Sequence, residues 1–403
     1  MYFLSDKYRK EFQRTGIVMR LDFAHGLEKD SAALLIQVNT LLLKYLIQNC
    51  RIEFLVGCIH EKLIYIVRIW DDENPDCLWS FMEYEEEKTA LLDMANNGAL
   101  DIFLFNECSV CEAYKHIEFQ KSQKLSELVF SSKFVDLNSQ SQYKEIANSE
   151  LDRLAKETDS SYYSEIISNE EKWLLNNSIY LTNSGRKSEI SLNIRNEGNQ
   201  QEQIALWITD NLVTNGVYHS PKIKTSNGSR EFTDLFLVSE EGCFIFESKS
   251  LTIFKDKLPN RKILSKNVEK HIEKAIRQLK GTVRQLQIKT PIYENDLLTK
   301  INVNNIETIH CLIIISDLST IDNTEIVSRK VLEDFVRETH AFLHVVDLNE
   351  LTRIVQAAHM IVHHSKHISL IQAFAFYLIE REKTAIKQGR LDIQMLLKIQ
   401  DEQ

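Results

Sequence analysis

The chain has 403 residues, 43% of them hydrophobic, and a formal net charge of -10 at pH 7. This length suits two or three domains. The negative balance excludes a uniformly basic nucleic-acid coat, but not an enzyme with a local basic groove. The start of the chain lacks a signal-peptide profile, and its longest apolar stretch, residues 32–47, contains polar residues. We therefore expect a cytoplasmic protein without a membrane partner.

The first module predicted by the sequence is an α+β unit over residues 1–115. Hydrophobic patterns and turn residues predict its elements. These are a strand at 16–23, a helix at 31–48, a strand hairpin at 52–59 and 63–70, a strand at 78–84, a helix at 85–96 and a strand at 101–105. The module contains neither a glycine-rich phosphate loop nor a nucleophile elbow, so ligand sensing and partner binding both stay open for it.

The seven cysteines are scattered along the chain and odd in number, which favours reduced thiols. Only Cys108 and Cys111 have the spacing of a zinc-binding pair, and no second pair follows them. Two ordinary thiols beside a turn are therefore the preferred interpretation over a zinc site.

A change in composition separates two further segments. Residues 116–185 are rich in Ser, Gln, Lys and Glu, which predicts a helical connector. Residues 186–403 form the second module, and its patterns predict alternating helices and strands. The predicted elements are a helix at 200–212, strands at 217–224, 233–238 and 243–249, a helix at 267–287, a strand at 308–316, a helix at 324–339 and a strand at 341–346.

The second and third strands of this module carry charged residues that their pairing brings together. A turn centred between Glu240 and Glu241 places Asp234 directly opposite Glu247. Directly paired residues have Cβ atoms roughly 5 Å apart on one face, and Lys249 shares that face two residues further on. A bulge at Gly242 would shift this register.

Two close carboxylates repel each other unless a cation lies between them, and hard oxygen ligands favour Mg²⁺ or Mn²⁺. Such an ion stabilises charge on a scissile phosphate and acidifies a bound water. The backbone carbonyl of Ser248 is the natural additional ligand beside Asp234 and Glu247. Lys249 could orient the attacking water, take its proton or stabilise the developing charge.

Asp234, twelve intervening residues and Glu247-Ser248-Lys249 resemble the PD-(D/E)XK signature of the restriction-endonuclease-like phosphodiesterases, including their nuclease-related and Mrr-like branches. The resemblance covers about half the chain. No proline precedes Asp234, where Phe232-Thr233 stands instead. The resemblance implies an α/β fold with an αβββαβ core in the C-terminal half, preceded by the separate α+β module and the helical connector.

The same resemblance implies a Mg²⁺- or Mn²⁺-dependent endonuclease, acting on DNA in defence against foreign DNA, in restriction or in repair. It carries over two more residues. Glu202 matches the metal-site Glu of the first helix, with Glu197 as the alternative, and Gln278 matches a Gln on the helix after the E-x-K strand. The rival hypothesis is an inactive nuclease fold that serves as a DNA-binding or assembly scaffold.

Basic residues follow the predicted site directly. Residues 255–289 contain eleven Lys and Arg against three Asp and Glu. A solvated helix face is the alternative, but the position of the run favours contact with a phosphate backbone. The residues assigned to this contact are Lys270, Lys274, Arg277, Lys280 and Arg284. No base-reading element is identifiable, so duplex DNA, single-stranded DNA and RNA all stay open as substrates. A homodimer and a partner protein bound by the N-terminal module also stay open.

Overall fold

The protein is mixed α/β with several β-sheets. The computed structural model describes residues 4–14, 18–24, 30–48, 51–70, 75–135, 140–154, 161–167, 172–183, 185–193, 196–212, 217–251, 261–303, 306–321, 323–365, 367–393, 395 and 397. Among the described helices, none combines the length and the apolar character that a membrane span requires.

The chain divides into two compact units. The first is Met1–Asn177 with a short return at Ser191–Asn193, and the second is formed mainly by Ser178–Ile190, Ile194–Ile253 and Pro259–Gln403. The segment interpreted as a connector, 116–185, therefore lies mostly inside the first unit.

The described elements of the first unit are five helices and nine strands. They are α1 (Asp6–Arg14), β1 (Val18–Ala24), β2 (Ser31–Gln37), α2 (Thr40–Ile47), β3 (Arg51–Ile59), β4 (Lys62–Trp70), β5 (Pro75–Phe81), α3 (Glu85–Asn97), β6 (Ala99–Phe105), β7 (Cys111–Glu118), α4 (Gln123–Ser131), α5 (Gln140–Leu154), β8 (Tyr163–Ile167) and β9 (Leu174–Leu175).

Two sheets organise the first unit, with strand orders β1-β2-β6-β7-β9 and β5-β4-β3-β8. Apolar side chains of both sheets and of α2, α3 and α4 share one core. Arg20 on β1 is buried and forms ion pairs with Glu11, Glu83 and Glu87, so it joins α1 and α3 to the sheet.

The predicted helix at 31–48 is wrong over its first half. Ser31–Gln37 is a strand between β1 and β6 and is buried on both faces. A strand buried on both faces is a continuous apolar run, which periodicity alone does not distinguish from a buried helix. The helix begins only after Asn39, whose side chain accepts a hydrogen bond from Leu42 N at 2.8 Å.

The predicted hairpin of β3 and β4 is confirmed, with His60 and Glu61 both at positive φ in its turn. The predicted helix at 85–96 is confirmed as α3, which ends at Gly98 in the left-handed region.

The helical prediction for 116–185 is correct for α4 and α5 but misses β9, the strand Ser178–Leu181 and the longer strand β8. That strand pairs with β3 at the edge of the second sheet, a contact that nothing in the local sequence indicates because the two strands are far apart along the chain.

The second unit contains the predicted alternation with a few additions. Its described elements are β10 (Ser178–Leu181), β11 (Lys187–Ile190), α6 (Glu197–Thr209), β12 (Tyr218–His219), β13 (Lys222–Thr225), β14 (Gly228–Glu231), β15 (Leu235–Ser239), β16 (Gly242–Lys249), α7 (Arg261–Gln287), β17 (Ile292–Tyr293), β18 (Ile309–Ile315), α8 (Arg329–Thr339), β19 (Phe342–Asp347), α9 (Leu348–His364) and α10 (Leu370–Gln388).

A five-stranded sheet of order β12-β15-β16-β18-β19 is the centre of this unit. β12, β15 and β16 are antiparallel neighbours, whereas β16, β18 and β19 are parallel. α7 and α8 provide the crossover connections that parallel neighbours need. β18 is buried along its whole length, which explains its continuous apolar sequence.

The predicted strand at 217–224 is divided into β12 and β13. Ser220 has a positive φ of 48 degrees and Pro221 follows it, so the strand cannot continue through this point. β13 instead joins β14 and β17 in a separate three-stranded sheet of order β14-β13-β17.

The predicted apolar face of α7 is confirmed. Ile272, Leu279, Val283 and Leu286 are buried, and Ile276 is partly buried.

The β15–β16 hairpin has the predicted register, in which Val238 pairs with Cys243 and Ser239 pairs with Gly242. No bulge interrupts it. Gly242 has a φ of 135 degrees, and a Cβ atom there would lie 2.2 Å from the carbonyl oxygen of Thr308. Only glycine fits both the conformation and the close approach to the chain that leads into β18.

We expect Gly242→Ala to destabilise the protein by about 3 kcal/mol or more, since backbone strain and overpacking each cost about 1–3 kcal/mol. Gly228→Ala is the matched control. Gly228 has the same φ of 135 degrees, but open space surrounds its Cβ position, so only the strain contributes. Urea unfolding of both variants measures the difference, and equal losses of stability would show that the contact with Thr308 is unimportant.

Candidate active site

The β15–β16 hairpin places three charged side chains at one end of the central sheet. Leu235 pairs with Phe246, and the next position outward brings Asp234 beside Glu247. Lys249 Nζ lies 2.8 Å from Glu247 Oε2 and 3.6 Å from Asp234 Oδ2. The structure therefore brings together the three residues that the sequence singled out.

The Ser248 peptide contributes both of its polar groups to this cluster. Its N–H donates to Asp234 Oδ2 at 2.6 Å, and its carbonyl oxygen accepts from Lys249 Nζ at 3.1 Å. Oxygen atoms of Asp234, Glu247 and Ser248 thus surround one ammonium group.

The opposite face of Ser248 anchors the first helix of the unit. Its hydroxyl accepts a hydrogen bond from Gln201 Nε2 at 3.0 Å, and the same amide donates to the Ile314 carbonyl at 2.9 Å. Gln201 is buried in α6, so it fixes α6 against β16 and β18. The sequence analysis did not single out Gln201, because its partners come from distant strands.

Thr233, directly before Asp234, is a second residue that the sequence patterns did not indicate. Its hydroxyl lies 2.7 Å from the Phe246 carbonyl and 3.2 Å from Glu247 Oε1. A hydroxyl can donate to one of these oxygens at a time, and either bond ties the segment before Asp234 to β16. Thr233 therefore orients the carboxylate of Glu247, and the next residue, Asp234, supplies the second carboxylate.

Burial and mutual repulsion dominate the electrostatics of the cluster. Burial, then the charge of Glu247, raises the pKa of Asp234 to about 7. Burial also raises the pKa of Glu247, although Lys249 opposes this shift. Burial by itself would lower the pKa of Lys249, but Glu247 and Asp234 outweigh it and raise that pKa. The site therefore keeps its ammonium charged and holds one more carboxylate than this single cation can neutralise.

Glu202 lies on α6 close enough to Asp234 for its charge to raise the pKa of that carboxyl group. Its Oε2 is 3.2 Å from His219 Nε2, and His219 Nδ1 is 3.0 Å from Arg186 Nη2. Arginine only donates, so the contact with Arg186 is a hydrogen bond where Nδ1 accepts, which leaves the imidazole proton on Nε2 for Glu202. The amide nitrogen of Gln203 also lies 3.3 Å from this Nε2, and with that tautomer it does not donate to the ring. His219 and Arg186 thus orient this carboxylate. The alternative residue, Glu197, lies in the first turn of α6.

His271 on α7 is another residue that the sequence analysis did not identify. Burial, followed by the positive charges of Lys249 and Lys274, lowers its pKa, which places its ring within electrostatic range of the site. Its Nδ1 is buried and has no hydrogen-bond partner among the described residues. One histidine in a basic helix gives no sequence signal of such a position.

The remaining predicted residues lie on α7. Gln278 is exposed, and its side chain makes no hydrogen bond to the described part of the chain. Lys270, Lys274, Arg277 and Arg284 are also exposed, whereas Lys280 pairs with Glu338 at 2.7 Å. The side chains of Lys255, Lys257, Arg261 and Lys262 lie outside the described residues.

The donor set fits a hard divalent cation, because it consists of two carboxylates and a peptide carbonyl that converge on one point. Asp234, Glu247 and Ser248 can supply these ligands, while Glu202 is bonded to His219. Across the described residues, no group of three or more His, Cys, Asp or Glu side chains is arranged to hold a metal ion. A cation here would therefore depend on the peptide carbonyl and on water for its remaining ligands.

Comparisons of the chain with protein-family models, with curated proteins and with solved structures find no match. Any chemistry assigned to the site is therefore inferred from its residues and their geometry.

We predict that Mn²⁺ binds more tightly as the pH rises from 6 to 8. Because the pKa of Asp234 is raised in the folded protein, its protonated form stabilises the cation-free fold. This contribution is fully present below pH 3.8, the ordinary pKa of the group, and is lost as the pH rises through about 7. Because a cation competes with that proton, its Kd should fall by up to about tenfold per pH unit below pH 7 and then level off.

Titration calorimetry in buffers of different ionisation enthalpy measures both the affinity and the proton released. Asp234→Asn should abolish the proton release, whereas Glu240→Ala, an exposed acid at the opposite end of the same hairpin, should leave it unchanged. A Mn²⁺ affinity independent of pH would contradict the assignment of Asp234 as a ligand.

Proposed function

We propose that the second unit is a Mg²⁺- or Mn²⁺-dependent phosphodiesterase that cuts nucleic acid, with DNA as the substrate that the resemblance implies. The observation that carries the proposal is the convergence of Asp234, Glu247, Lys249 and the Ser248 carbonyl at the end of two paired strands. The element order α6-β12-β15-β16-α7-β18 supports a restriction-endonuclease-like core, with β13 and β14 inserted between its strands.

Asp234, Glu247 and the Ser248 carbonyl would hold the cation, with Glu202 as the additional carboxylate toward its waters. When bound, the cation would stabilise charge on the scissile phosphate and acidify a water. Thr233 keeps Glu247 in place, and the Ser248 N–H keeps Asp234 in place. Positioning of this kind keeps both carboxylates ready for the cation without rearrangement of the strands.

Lys249 serves best as a charged hydrogen-bond donor. Its two carboxylate neighbours raise its pKa, so the ammonium form is present at neutral pH. An ammonium group cannot take a proton from water, but it can orient the attacking water or neutralise charge on a phosphate oxygen. Of the three roles considered for this residue, the geometry therefore favours the two that need a charged side chain.

The exposed cations of α7 are the proposed contacts to the nucleic-acid backbone. Lys270, Lys274, Arg277 and Arg284 offer their charges to solvent, and each such cation can neutralise one phosphate. Lys280 contributes less, because Glu338 already pairs with it. Duplex cutting by such folds uses two sites, so a homodimer belongs to the proposal.

A reducing compartment, the cytoplasm, suits this protein. Among the described residues, Cys58 and Cys311 form no disulfide bond, which agrees with the expectation of reduced thiols.

One observation favours the rival hypothesis of a non-cutting scaffold. The ammonium group of Lys249 already bridges both carboxylates, so the cluster can persist as an internal salt bridge. In that case Lys249 stabilises the end of the hairpin, and the unit binds nucleic acid or a partner without hydrolysis. Metal-dependent cleavage separates the two hypotheses.

We expect the full chain to cut plasmid DNA or a single-stranded circle with Mg²⁺ or Mn²⁺, but not with EDTA. Glu247→Ala and Lys249→Ala should lower the cleavage rate by about 10²–10⁴-fold, the usual range for a lost catalytic group. Gel electrophoresis of time courses measures the rate, and Glu240→Ala is the matched control. Absence of both cleavage and metal binding in the folded wild type would favour the scaffold.

We also expect His219→Ala to lower metal affinity or cleavage by about 10–100-fold, as removal of a group that orients a ligand usually does. His219→Gln should retain more activity, because its amide can donate to Glu202 as the imidazole Nε2 does. Calorimetry and cleavage rates together distinguish weaker binding from slower chemistry. Equal activity of His219→Ala and wild type would show that Glu202 needs no orientation by this ring.

A further inference from the structure

β13 and β14 form a ribbon ahead of β15, the strand that begins beside Asp234. At its inner end β13 also pairs with β17 through Lys222 and Ile223, and the outer end is two-stranded. Lys222 pairs with Glu231 and Thr225 pairs with Gly228, so Ser226 and Asn227 form the turn. Residues 224–231 are all exposed. A backbone hydrogen bond from Phe232 N to the Pro221 carbonyl, 2.8 Å long, closes the base of the ribbon. The outer half of the ribbon is thus available to a large ligand.

The outer half of the ribbon carries cations and hydrogen-bonding groups. Lys224 and Arg230 are its charged residues, and Ser, Thr and Asn occupy most other positions between them. The acid Glu231 lies at the base. Lys224 Nζ lies 4.4 Å from the centre of the Tyr293 ring on β17, which orients its side chain. Arg, Lys and Asn are the residue types that contact phosphates and the edges of guanine and adenine.

The ribbon begins within electrostatic range of the site. The charge of Glu231 contributes to the raised pKa of Glu247, and only two residues separate Glu231 from Asp234. A nucleic acid with its scissile phosphate at Asp234 and Glu247 must therefore pass close to the ribbon.

The residue types of the ribbon distinguish between classes of nucleic acid. Proteins that hold single strands stack the bases on aromatic side chains, and residues 224–231 include no aromatic residue. The major groove of duplex DNA, about 12 Å wide, admits a two-stranded β-ribbon with polar and basic side chains. The composition and exposure of β13–β14 match the second case.

We propose that the β13–β14 ribbon binds in the major groove of double-stranded DNA beside the site, which makes duplex DNA the substrate class. The inference rests on the proposed nuclease function and extends it, because it assigns substrate selection to a part of the chain outside α7 and outside the cluster of Asp234, Glu247 and Lys249. Lys224 and Arg230 contact the duplex, and Asn227 at the turn faces the base edges.

Binding in EDTA tests the proposal without cutting. Fluorescence anisotropy of the full chain would compare a labelled duplex of mixed sequence with the single strand of the same sequence, at several salt concentrations. The double variant Lys224→Ala, Arg230→Ala should weaken duplex binding about tenfold or more and reduce the salt slope by about two. Its affinity for the single strand should stay near that of the wild type.

The matched control is Lys330→Ala, Lys387→Ala, which removes two exposed cations from α8 and α10 and should leave both affinities unchanged. Melting curves verify that each variant is folded. An Asn227→Ala variant that loses affinity for some duplex sequences more than for others would support contact with base edges.

Unchanged duplex binding in the ribbon variant, or an equal loss on duplex and single strand, would overturn the proposal. The failure of the nuclease function gives a different result. Ribbon-dependent duplex binding without metal-dependent cleavage would keep the ribbon assignment and remove the proposed activity. If the ribbon variant binds and cuts the duplex as well as the wild type does, the nuclease activity stands and the ribbon assignment is removed.

Discussion

The candidate site depends on an imbalance of charge at the buried end of β16. Asp234 and Glu247 lie side by side with Lys249 as the neighbouring cation. Burial raises the pKa of both carboxyl groups, and the charge of Glu247 raises that of Asp234 further. A structural salt bridge would be more stable with one carboxylate for one ammonium. The extra carboxylate is a cost to the fold, and an additional cation is the simplest way to offset it.

The surrounding structure maintains this unfavourable arrangement. Gly242 fixes the hairpin register by its close approach to Thr308, the Ser248 peptide holds Asp234, and Thr233 holds Glu247. On the opposite face, Gln201 ties α6 to β16, so Glu202 is carried toward the same end of the sheet. Buried polar groups that are satisfied in this way make one arrangement of the site much more stable than its alternatives.

Local patterns were sufficient to predict the hairpin, because the charged turn Glu240-Glu241 marked its centre, and a two-residue turn determines which residues of two paired strands lie opposite each other. The same approach failed for Ser31–Gln37, where a strand buried on both faces gives no alternation. It also missed His219, which contacts Glu202, and Arg186, which contacts His219 from a separate segment of the chain. The family-based choice of Gln278 follows a spacing, but the structure places that side chain in solvent. Residues that meet through tertiary contacts leave no periodic signal.

The ribbon and the site share one continuous stretch of chain, and this continuity has a mechanical consequence. Phe232 is buried between β14 and β15, and its carbonyl oxygen accepts a hydrogen bond from Thr282 of α7 at 3.0 Å. A displacement of the ribbon by a bound duplex must therefore act on Thr233 and Asp234, which follow directly, and on the basic helix. Since Thr233 bonds to β16, a duplex bound at the ribbon would act on the carboxylates through Phe232 and Thr233.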